Sequence, residues 1–191
     1  SLLFRPGGHG ALIDNLNALE ADVVFIKNID NVAHERYLSE IVEWKKILGG
    51  LLLAAQQQVF HFLAQLHRHP LDPEWMQQAA LFLQTTLSRS LPKNFETAPL
   101  QSRQEALIHL LDRPLRVCGM VPNAGDPGGG PFWTRDATGD ISLQIVETSQ
   151  IDAENPDQRA IAGSATHFNP VDLVCGIRNW RNEAFDLSRY V

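Results

Sequence analysis

The sequence predicts an α/β protein in which a large helical insertion interrupts the sheet. Short apolar segments rich in β-branched residues, typical of strands, occur from Asp22 to Ile26 and again from Leu115 onward. Between them, apolar residues recur every three or four positions, which is the spacing of helices. Because strand segments flank the helices, we assign residues 1–33 and 113–191 to one α/β domain and residues 34–112 to a helical insertion.

The first region is predicted to contain a loop, a helix and a strand. Three glycines fall in the last four positions of Arg5–Gly10, a density that excludes regular structure. Ala11–Leu19 carries leucines at helical spacing. The short apolar run Asp22–Ile26 is typical of a strand buried on both faces, and polar residues follow it directly.

The helical region begins with one long periodic segment. Its apolar positions run to Leu66 and are interrupted by Gly49-Gly50. Each glycine costs roughly 1 kcal/mol of helix stability relative to alanine, so we expect a kink or a tight helix contact there. Pro70 and Pro73 end this helix and allow a new one to start.

Two shorter helices complete the insertion. The first is predicted over Trp75–Leu87 and the second over Ser102–Leu111, with a loop over Pro92–Pro99 between them. Ser102 is the expected N-cap of the last helix, and Glu105 would complete a capping box.

The last region has the pattern of strands. The best candidates are Leu115–Val121, Ile141–Glu147 and Val171–Arg178, which glycine- and proline-rich connections separate. Cys118 and Cys175 lie inside apolar runs, so we interpret both as buried strand residues. Two cysteines are too few for a disulfide framework or a zinc site.

Composition narrows the function classes. The net charge of −6 disfavours a nucleic-acid surface, which usually carries a basic stripe. No secretory signal or apolar span of about 20 residues is evident, so the cytoplasm is the expected location and no membrane partner is expected.

Two polar motifs of the first region are candidate ligand sites. Gly8, His9 and Gly10 would let a backbone approach a base or a phosphate closely, although the same glycines also suit a tight turn that opens a helix. Asp30 follows a strand, where a carboxylate suits Mg²⁺ and substrate phosphates supply the remaining ligands. Asp30 and Asn31 also suit a turn that caps the next helix.

Three further motifs lie in the last region. The glycines of Gly128–Gly130 could wrap a polar ligand or form a mobile surface loop. Glu147 ends a strand and could accept hydrogen bonds from sugar hydroxyls, though exposed glutamates are common at strand ends. Asn169 offers both a donor and an acceptor to a hydroxyl pair, whereas His167 could be a core or hydrogen-bonded histidine.

The order of these motifs is more specific than any one of them. The segments Arg5–Gly10 and Val24–Asn31, separated by a helix, resemble the Pro-x-Gly-His-Gly and Asn-x-Asp-Asn segments of UDP-glucose and UDP-N-acetylhexosamine pyrophosphorylases. Val117–Gly119, Ile145–Ile151 and Phe168–Leu173 follow in that family's order. The arrangement also resembles an uncharacterised bacterial family placed among such enzymes. The resemblance covers residues 4–32 and 115–178 in patches and omits the insertion.

This resemblance implies a GT-A-like (nucleotide-diphospho-sugar transferase) mixed sheet and a nucleotidyltransferase-like protein. It would act on a nucleoside triphosphate and a sugar-1-phosphate, with Mg²⁺ as cofactor. A nucleotide- or sugar-binding module without turnover is the alternative. The implied roles are the following. Asp30 holds the metal and, with Lys27, forms the catalytic pair; Gly8, His9, Gly10 and Asn28 bind the nucleotide; Gly129, Gly130, Glu147 and Asn169 bind the sugar.

The sequence also departs from that family. Thr148 replaces a usual aromatic residue, and Pro170 and Asp172 alter the asparagine-rich segment, so the sugar class stays open. Family members carry a Gly-x-Gly-Thr loop that binds the triphosphate, and none precedes Arg5. We therefore expect an incomplete sheet, no nucleotidyl transfer by this chain alone, and self-association through exposed apolar surface.

Overall fold

The structure, a computed structural model, describes residues 12–29, 32–125, 129–135, 139 and 141–190. The described helices are α1 (Ile13–Asn17), α2 (Leu38–Arg68), α3 (Pro73–Thr85), α4 (Leu100–Leu111) and α5 (Pro156–Gly163). The described strands are β1 (Val23–Lys27), β2 (Leu115–Cys118), β3 (Val121–Pro122), β4 (Gly130–Arg135), β5 (Ile141–Val146), β6 (His167–Phe168) and β7 (Asp172–Gly176). The predicted mixture of helices and strands is confirmed.

The largest sheet has three strands in the order β1-β7-β2, and β7 is antiparallel to both neighbours. Consequently β1 and β2 point in the same direction, and their carboxyl ends meet at the edge where β7 begins. The prediction that β1 is buried on both faces is wrong. Phe25 is 50% exposed, because among the described strands β1 pairs only with β7.

Two small antiparallel pairs complete the described strands. β4 pairs with β5 over six residues each, and β3 pairs with β6 over two. The sequence assigned β4 to a docked glycine- and proline-rich connection, but cross-strand hydrogen bonding to β5 makes it a strand. Helix α5 was also not predicted, and it begins where Asn155 caps Pro156 at the first helical position.

Helix α2 runs without interruption for 31 residues, through both glycines. Gly49 is the close contact expected from the sequence, because a Cβ there would lie 2.9 Å from Cζ of Phe25. Gly50 has nothing within 4 Å of the equivalent position. Further along α2, Gln56 packs against Gly176 of the central strand so closely that a Cβ there would overlap its side-chain amide.

The main core joins the second half of α2 to α3 and α4. Its members are buried apolar side chains, among them Leu63, Leu66, Met76, Leu83 and Leu107. Helix α3 begins at Pro73, and the side chain of Asp72 accepts a hydrogen bond from the Glu74 N–H as its cap.

The predicted start of α4 is wrong. The helix begins at Leu100 after an extended Pro99, so Ser102 lies inside the helix and cannot cap it. The capping box is absent, and Glu105 instead accepts a hydrogen bond from Gln101 Nε2 at 3.0 Å, one helical turn away.

One described helix, Glu35–Arg68, has the length and composition to cross a membrane, with a mean hydropathy of 1.3 over an 18-residue window. The sequence-based statement that no such span exists is therefore wrong. This helix also packs on the sheet and supplies Leu52, Val59 and Leu63 to the buried interior. Core helices pass the same test, so the absence of a membrane partner stays a prediction.

Candidate functional site

Polar groups converge at the edge where β1 and β2 end and β7 begins; we call this the sheet edge. Lys27, the last residue of β1, lies opposite Asp172, the first residue of β7. Just beyond the strand, the Asn28 N–H donates a 3.0 Å hydrogen bond to the carbonyl oxygen of Val171. On the other side, the Gly119 N–H donates to the Asp172 carbonyl oxygen at 2.7 Å.

Asn169 ties this edge to the glycine loop. Its Nδ2 donates to the Gly119 carbonyl oxygen at 2.6 Å, and its Oδ1 accepts from the Val171 N–H at 2.9 Å. Its own N–H donates to the Gly129 carbonyl oxygen at 2.7 Å. The side chain is only 4% exposed, so Asn169 acts as a buried clamp between three backbone segments.

Val171 adopts a left-handed backbone conformation, with φ at +54°. A β-branched residue is strained there and persists only where its surroundings hold it. Two of the contacts just described do so, because Asn169 accepts from its N–H and Asn28 donates to its carbonyl oxygen. Held strain of this kind clusters at functional sites.

The glycine loop packs directly on two other predicted site elements. A Cβ at Gly129 would lie 2.9 Å from the carboxylate oxygens of Glu147. A Cβ at Gly130 would lie 3.0 Å from Cε2 of Phe132 and 3.2 Å from the His167 carbonyl oxygen. Gly130 is favoured by close approach, because its neighbours include the backbone of His167, whereas at Gly129 the Glu147 side chain could move aside.

A cation from the helical region also reaches the sheet edge. Lys45 on α2 forms a 2.5 Å ion pair with Oδ1 of Asp172, and the two side chains are 25% and 27% exposed. Lys27 is the cross-strand neighbour of the same aspartate. The sheet edge thus combines two ammonium groups with one carboxylate.

Six of the ten predicted site residues are brought together by these contacts. Lys27 and Asn28 lie at the sheet edge, Asn169 clamps it to Gly129 and Gly130, and Glu147 packs on Gly129. The other four, Gly8, His9, Gly10 and Asp30, lie outside the described residues. Their roles in nucleotide and metal binding stay predictions.

Sequence reasoning missed the parts of the site that depend on contacts between distant segments. Lys45 belongs to the helical insertion, and it meets Asp172 across 127 positions of the chain. Gly119 was quoted only as part of a strand motif, and its contact to Asn169 spans 50 positions. The Asn-Pro pair before β7 could have indicated that a turn lies there, since such pairs initiate turns.

The described residues do not by themselves form a metal site. No group of three or more histidine, cysteine, aspartate or glutamate side chains able to hold a metal occurs among them. The carboxylate nearest the sheet edge, Asp172, is engaged by Lys45. Asp30 lies outside the described residues, so its binding of Mg²⁺ stays a prediction, and we derive no step through the metal.

The comparison with known families gives one match, which spans the whole chain. Residues 1–191 match the family model described as "Domain of unknown function (DUF4301)". The chain belongs to this family. No curated protein and no solved structure matches it. Because the description of the DUF4301 family carries no activity, the resemblance to UDP-sugar pyrophosphorylases stays a prediction.

Proposed function

We propose that this DUF4301 chain is nucleotidyltransferase-like and acts on a nucleoside triphosphate and a sugar-1-phosphate, on a GT-A-like framework. The observation that carries the proposal is the Asn169 clamp. It joins the end of β1, which bears Lys27 and Asn28, to the glycine loop, against which Glu147 packs. The first segment is expected to bind the nucleotide, and the glycine loop and Glu147 are expected to bind the sugar.

The charges at the sheet edge support binding of phosphate groups. Lys45 pairs with Asp172, and Lys27 is the cross-strand neighbour of Asp172, so an incoming phosphate would compete with that carboxylate for the Lys45 ammonium group. Phosphoryl chemistry needs positioning and charge neutralisation more than a protein nucleophile. An edge that places lysine side chains at a strand end suits that requirement.

Binding without turnover is the second candidate. Asp172 is held by Lys45, and the polar atoms of Asn169 are bonded to backbone groups. The described part of the site is therefore rich in positioning groups, which favours a nucleotide- or sugar-binding module equally well. Only a measurement of turnover distinguishes the two candidates.

Thermal denaturation with nucleotides and nucleotide-sugars, with and without Mg²⁺, tests binding. A ligand at a hundredfold excess over its dissociation constant stabilises the native state by about 2.7 kcal/mol. We expect Lys27→Ala to weaken this effect, whereas Lys93→Ala, an exposed lysine in the Pro92–Pro99 loop, should preserve it. Asp30→Ala should remove only the Mg²⁺-dependent part.

Pyrophosphate release from a nucleoside triphosphate and a sugar-1-phosphate tests turnover. We expect no release by this chain alone, because no Gly-x-Gly-Thr loop precedes Arg5. Release by the purified chain would overturn that expectation and support an active transferase, whereas ligand-induced stabilisation without release leaves binding as the activity of this chain. If no nucleotide or nucleotide-sugar changes the melting temperature, both candidates are wrong.

A further inference from the structure

A cavity lies beside the glycine loop, between β4, the carboxyl end of α5 and β6. Its volume is about 200 Å³, and none of the residues predicted from the sequence to bind ligand lines it. The apolar part of the lining is formed by Pro131, Phe132, Ile161 and Ala165. The polar part is formed by Ser164, Thr166 and His167.

The polar lining is pre-oriented by hydrogen bonds. Thr166 Oγ1 and His167 Nδ1 lie 2.9 Å apart, so the hydroxyl and the imidazole fix each other. The Ser164 hydroxyl donates to the Ile161 carbonyl oxygen at 2.8 Å, which leaves its oxygen as an acceptor. The lining of the cavity therefore includes hydrogen-bond donors and acceptors together with one aromatic ring.

The size and charge of the cavity select the class of ligand. About 200 Å³ corresponds to roughly six or seven water molecules, and it lies below the range of about 300–1,000 Å³ typical of drug-sized ligands. One six-membered ring fits that space better than a whole nucleotide. No carboxylate, ammonium or guanidinium group is among the described lining residues, so the ring should be neutral.

We propose that this cavity, rather than Glu147 and Asn169, receives the neutral pyranose ring of a nucleotide-sugar, an inference that rests on the proposed function. The C–H face of the ring would pack on Phe132, and its hydroxyls would bond to Ser164, Thr166 and His167. The glycine loop connects the cavity to the sheet edge. A Cβ at Gly130 would meet Phe132 and the His167 carbonyl oxygen of the cavity, and the Gly129 carbonyl oxygen accepts from the Asn169 N–H. The phosphates would then extend past the glycine loop toward Lys27 and Lys45.

A blocking substitution tests this assignment. Ile161 is 58% exposed, and α5 has no buried residue, so Ile161→Trp should fill the cavity without disturbing the core. Arg159→Trp is the matched control, since two helical positions turn the side chain about 200° to the other side of α5. Both variants should melt cooperatively and close to the wild-type temperature.

Titration calorimetry measures the affinity of the chain for UDP and ADP, and for each nucleotide linked to glucose. The ratio of the two affinities gives the contribution of the sugar to binding. We expect the wild type to bind at least one sugar conjugate about tenfold more tightly than its free nucleotide. Ile161→Trp should reduce that ratio to about one and leave the affinity for the free nucleotide unchanged, while Arg159→Trp should keep the ratio. Thr166→Val, which preserves shape but removes the hydroxyl, should lower the ratio about fivefold.

The remaining outcomes separate failure of this inference from failure of the proposed function. If Ile161→Trp abolishes binding of the free nucleotide, the cavity holds the nucleoside and the sugar assignment is wrong. If the wild-type ratio is about one, or Ile161→Trp leaves it unchanged, the sugar is not recognised here although the nucleotide site stands. If neither nucleotides nor conjugates bind, the proposed function fails and this inference fails with it.

Discussion

Asn169 is one buried residue that holds three backbone segments together. Its side-chain amide bonds to Gly119 and Val171, and its own N–H bonds to Gly129. The carbonyl oxygen of Gly119 and the N–H of Val171 both use this side chain. Buried backbone groups that lose their partner cannot turn to water, so each carries a desolvation penalty. The contribution of Asn169 to any ligand site is therefore first a matter of geometry, and its direct contact with a sugar stays a prediction.

Asn169→Ala should lower the free energy of unfolding by about 2–3 kcal/mol, because it leaves the Gly119 carbonyl and the Val171 N–H unpaired. Urea denaturation monitored by circular dichroism measures the change. Asn94→Ala, at an exposed loop position, should change stability by less than about 0.5 kcal/mol. Equal effects of the two substitutions would contradict the clamp.

The two cysteine side chains are expected to be unreactive. Burial is the main cause that raises the pKa of Cys175 from 9.0 to about 11, the nearby Cys118 adds to the rise, and Arg116 opposes it. Burial also raises the pKa of Cys118. Both lie on strands as predicted, although they are half-buried rather than fully buried. Their strands, β2 and β7, are neighbours.

At pH 7, iodoacetamide should alkylate native Cys175 about a hundredfold more slowly than the same thiol in urea, because thiolate is the reacting form and the pKa rises from 9.0 to about 11. Mass spectrometry of timed samples measures the rate. The native state also retains a proton that the unfolded chain loses, so this thiol should lower stability as the pH rises from about 9 to about 11. Native and unfolded rates that agree would show that the thiol is solvated.

Among the elements, the glycine pair in α2 shows how one helix presents two different surfaces. A Cβ at Gly49 meets Phe25 of β1, whereas a Cβ at Gly50 meets open space. Neighbouring positions on a helix are about 100° apart, so adjacent residues can differ in this way. Gly49 is therefore favoured by the close contact with Phe25, whereas no contact favours glycine at position 50.

Gly50→Ala should stabilise the protein by about 0.5–1 kcal/mol, which is the difference in helix propensity between the two residues. Gly49→Ala should gain nothing or destabilise, because Phe25 must move away from the new methyl group. Thermal melts of the two variants, read as a matched pair, measure the difference. A Gly49→Ala variant that is as stable as Gly50→Ala would show that the contact with Phe25 is loose.

Long periodic elements could be predicted from the sequence, and short or non-local ones could not. The predicted helix Trp75–Leu87 overlaps most of the observed Pro73–Thr85, because its apolar spacing is regular. Strand β4 begins with Gly130-Pro131, which has the local pattern of a loop, and its partner β5 alone makes it a strand. Ser102 fitted a local capping pattern, but the extended Pro99 lets α4 start earlier.

The same division applies to the candidate site. Six of the described residues were predicted as site residues from the sequence: Lys27, Asn28, Gly129, Gly130, Glu147 and Asn169. That Asn169 is buried and bonded to backbone depends on packing between segments 50 positions apart, which local patterns do not contain. The ion pair of Lys45 with Asp172 depends on how α2 crosses the sheet.

At the scale of the whole molecule, α2 exposes an apolar stripe formed by Trp44, Ile47 and Leu51. Their exposed fractions are 60%, 42% and 55%, and their spacing places them on one side of the helix. Contiguous apolar surface of this kind usually marks a site of association. The self-association expected from the sequence stays a prediction, and the stripe gives it a location.

Light scattering coupled to size exclusion should give the chain a mass above that of a monomer, and Leu51→Lys should shift it toward the monomer by placing a charge in the stripe. Leu81→Lys is the control, because Leu81 is equally exposed at 60% but lies on α3. A wild-type chain that elutes as a monomer at high concentration would rule out association through this surface.

The order of strands in the sheet bears on how the protein is synthesised. Val23 pairs with Gly176, so the central strand β7 follows β1 by about 150 positions, whereas α2, α3 and α4 also pack on one another within residues 38–111. Local contacts form early, and pairing between distant segments waits for the chain to be available. On the ribosome, we therefore expect a nascent chain whose helices are already packed while β1 and β2 have no partner. The sheet edge, and any ligand that binds there, would appear only when β7 emerges, so ligand binding would report that translation has passed β7.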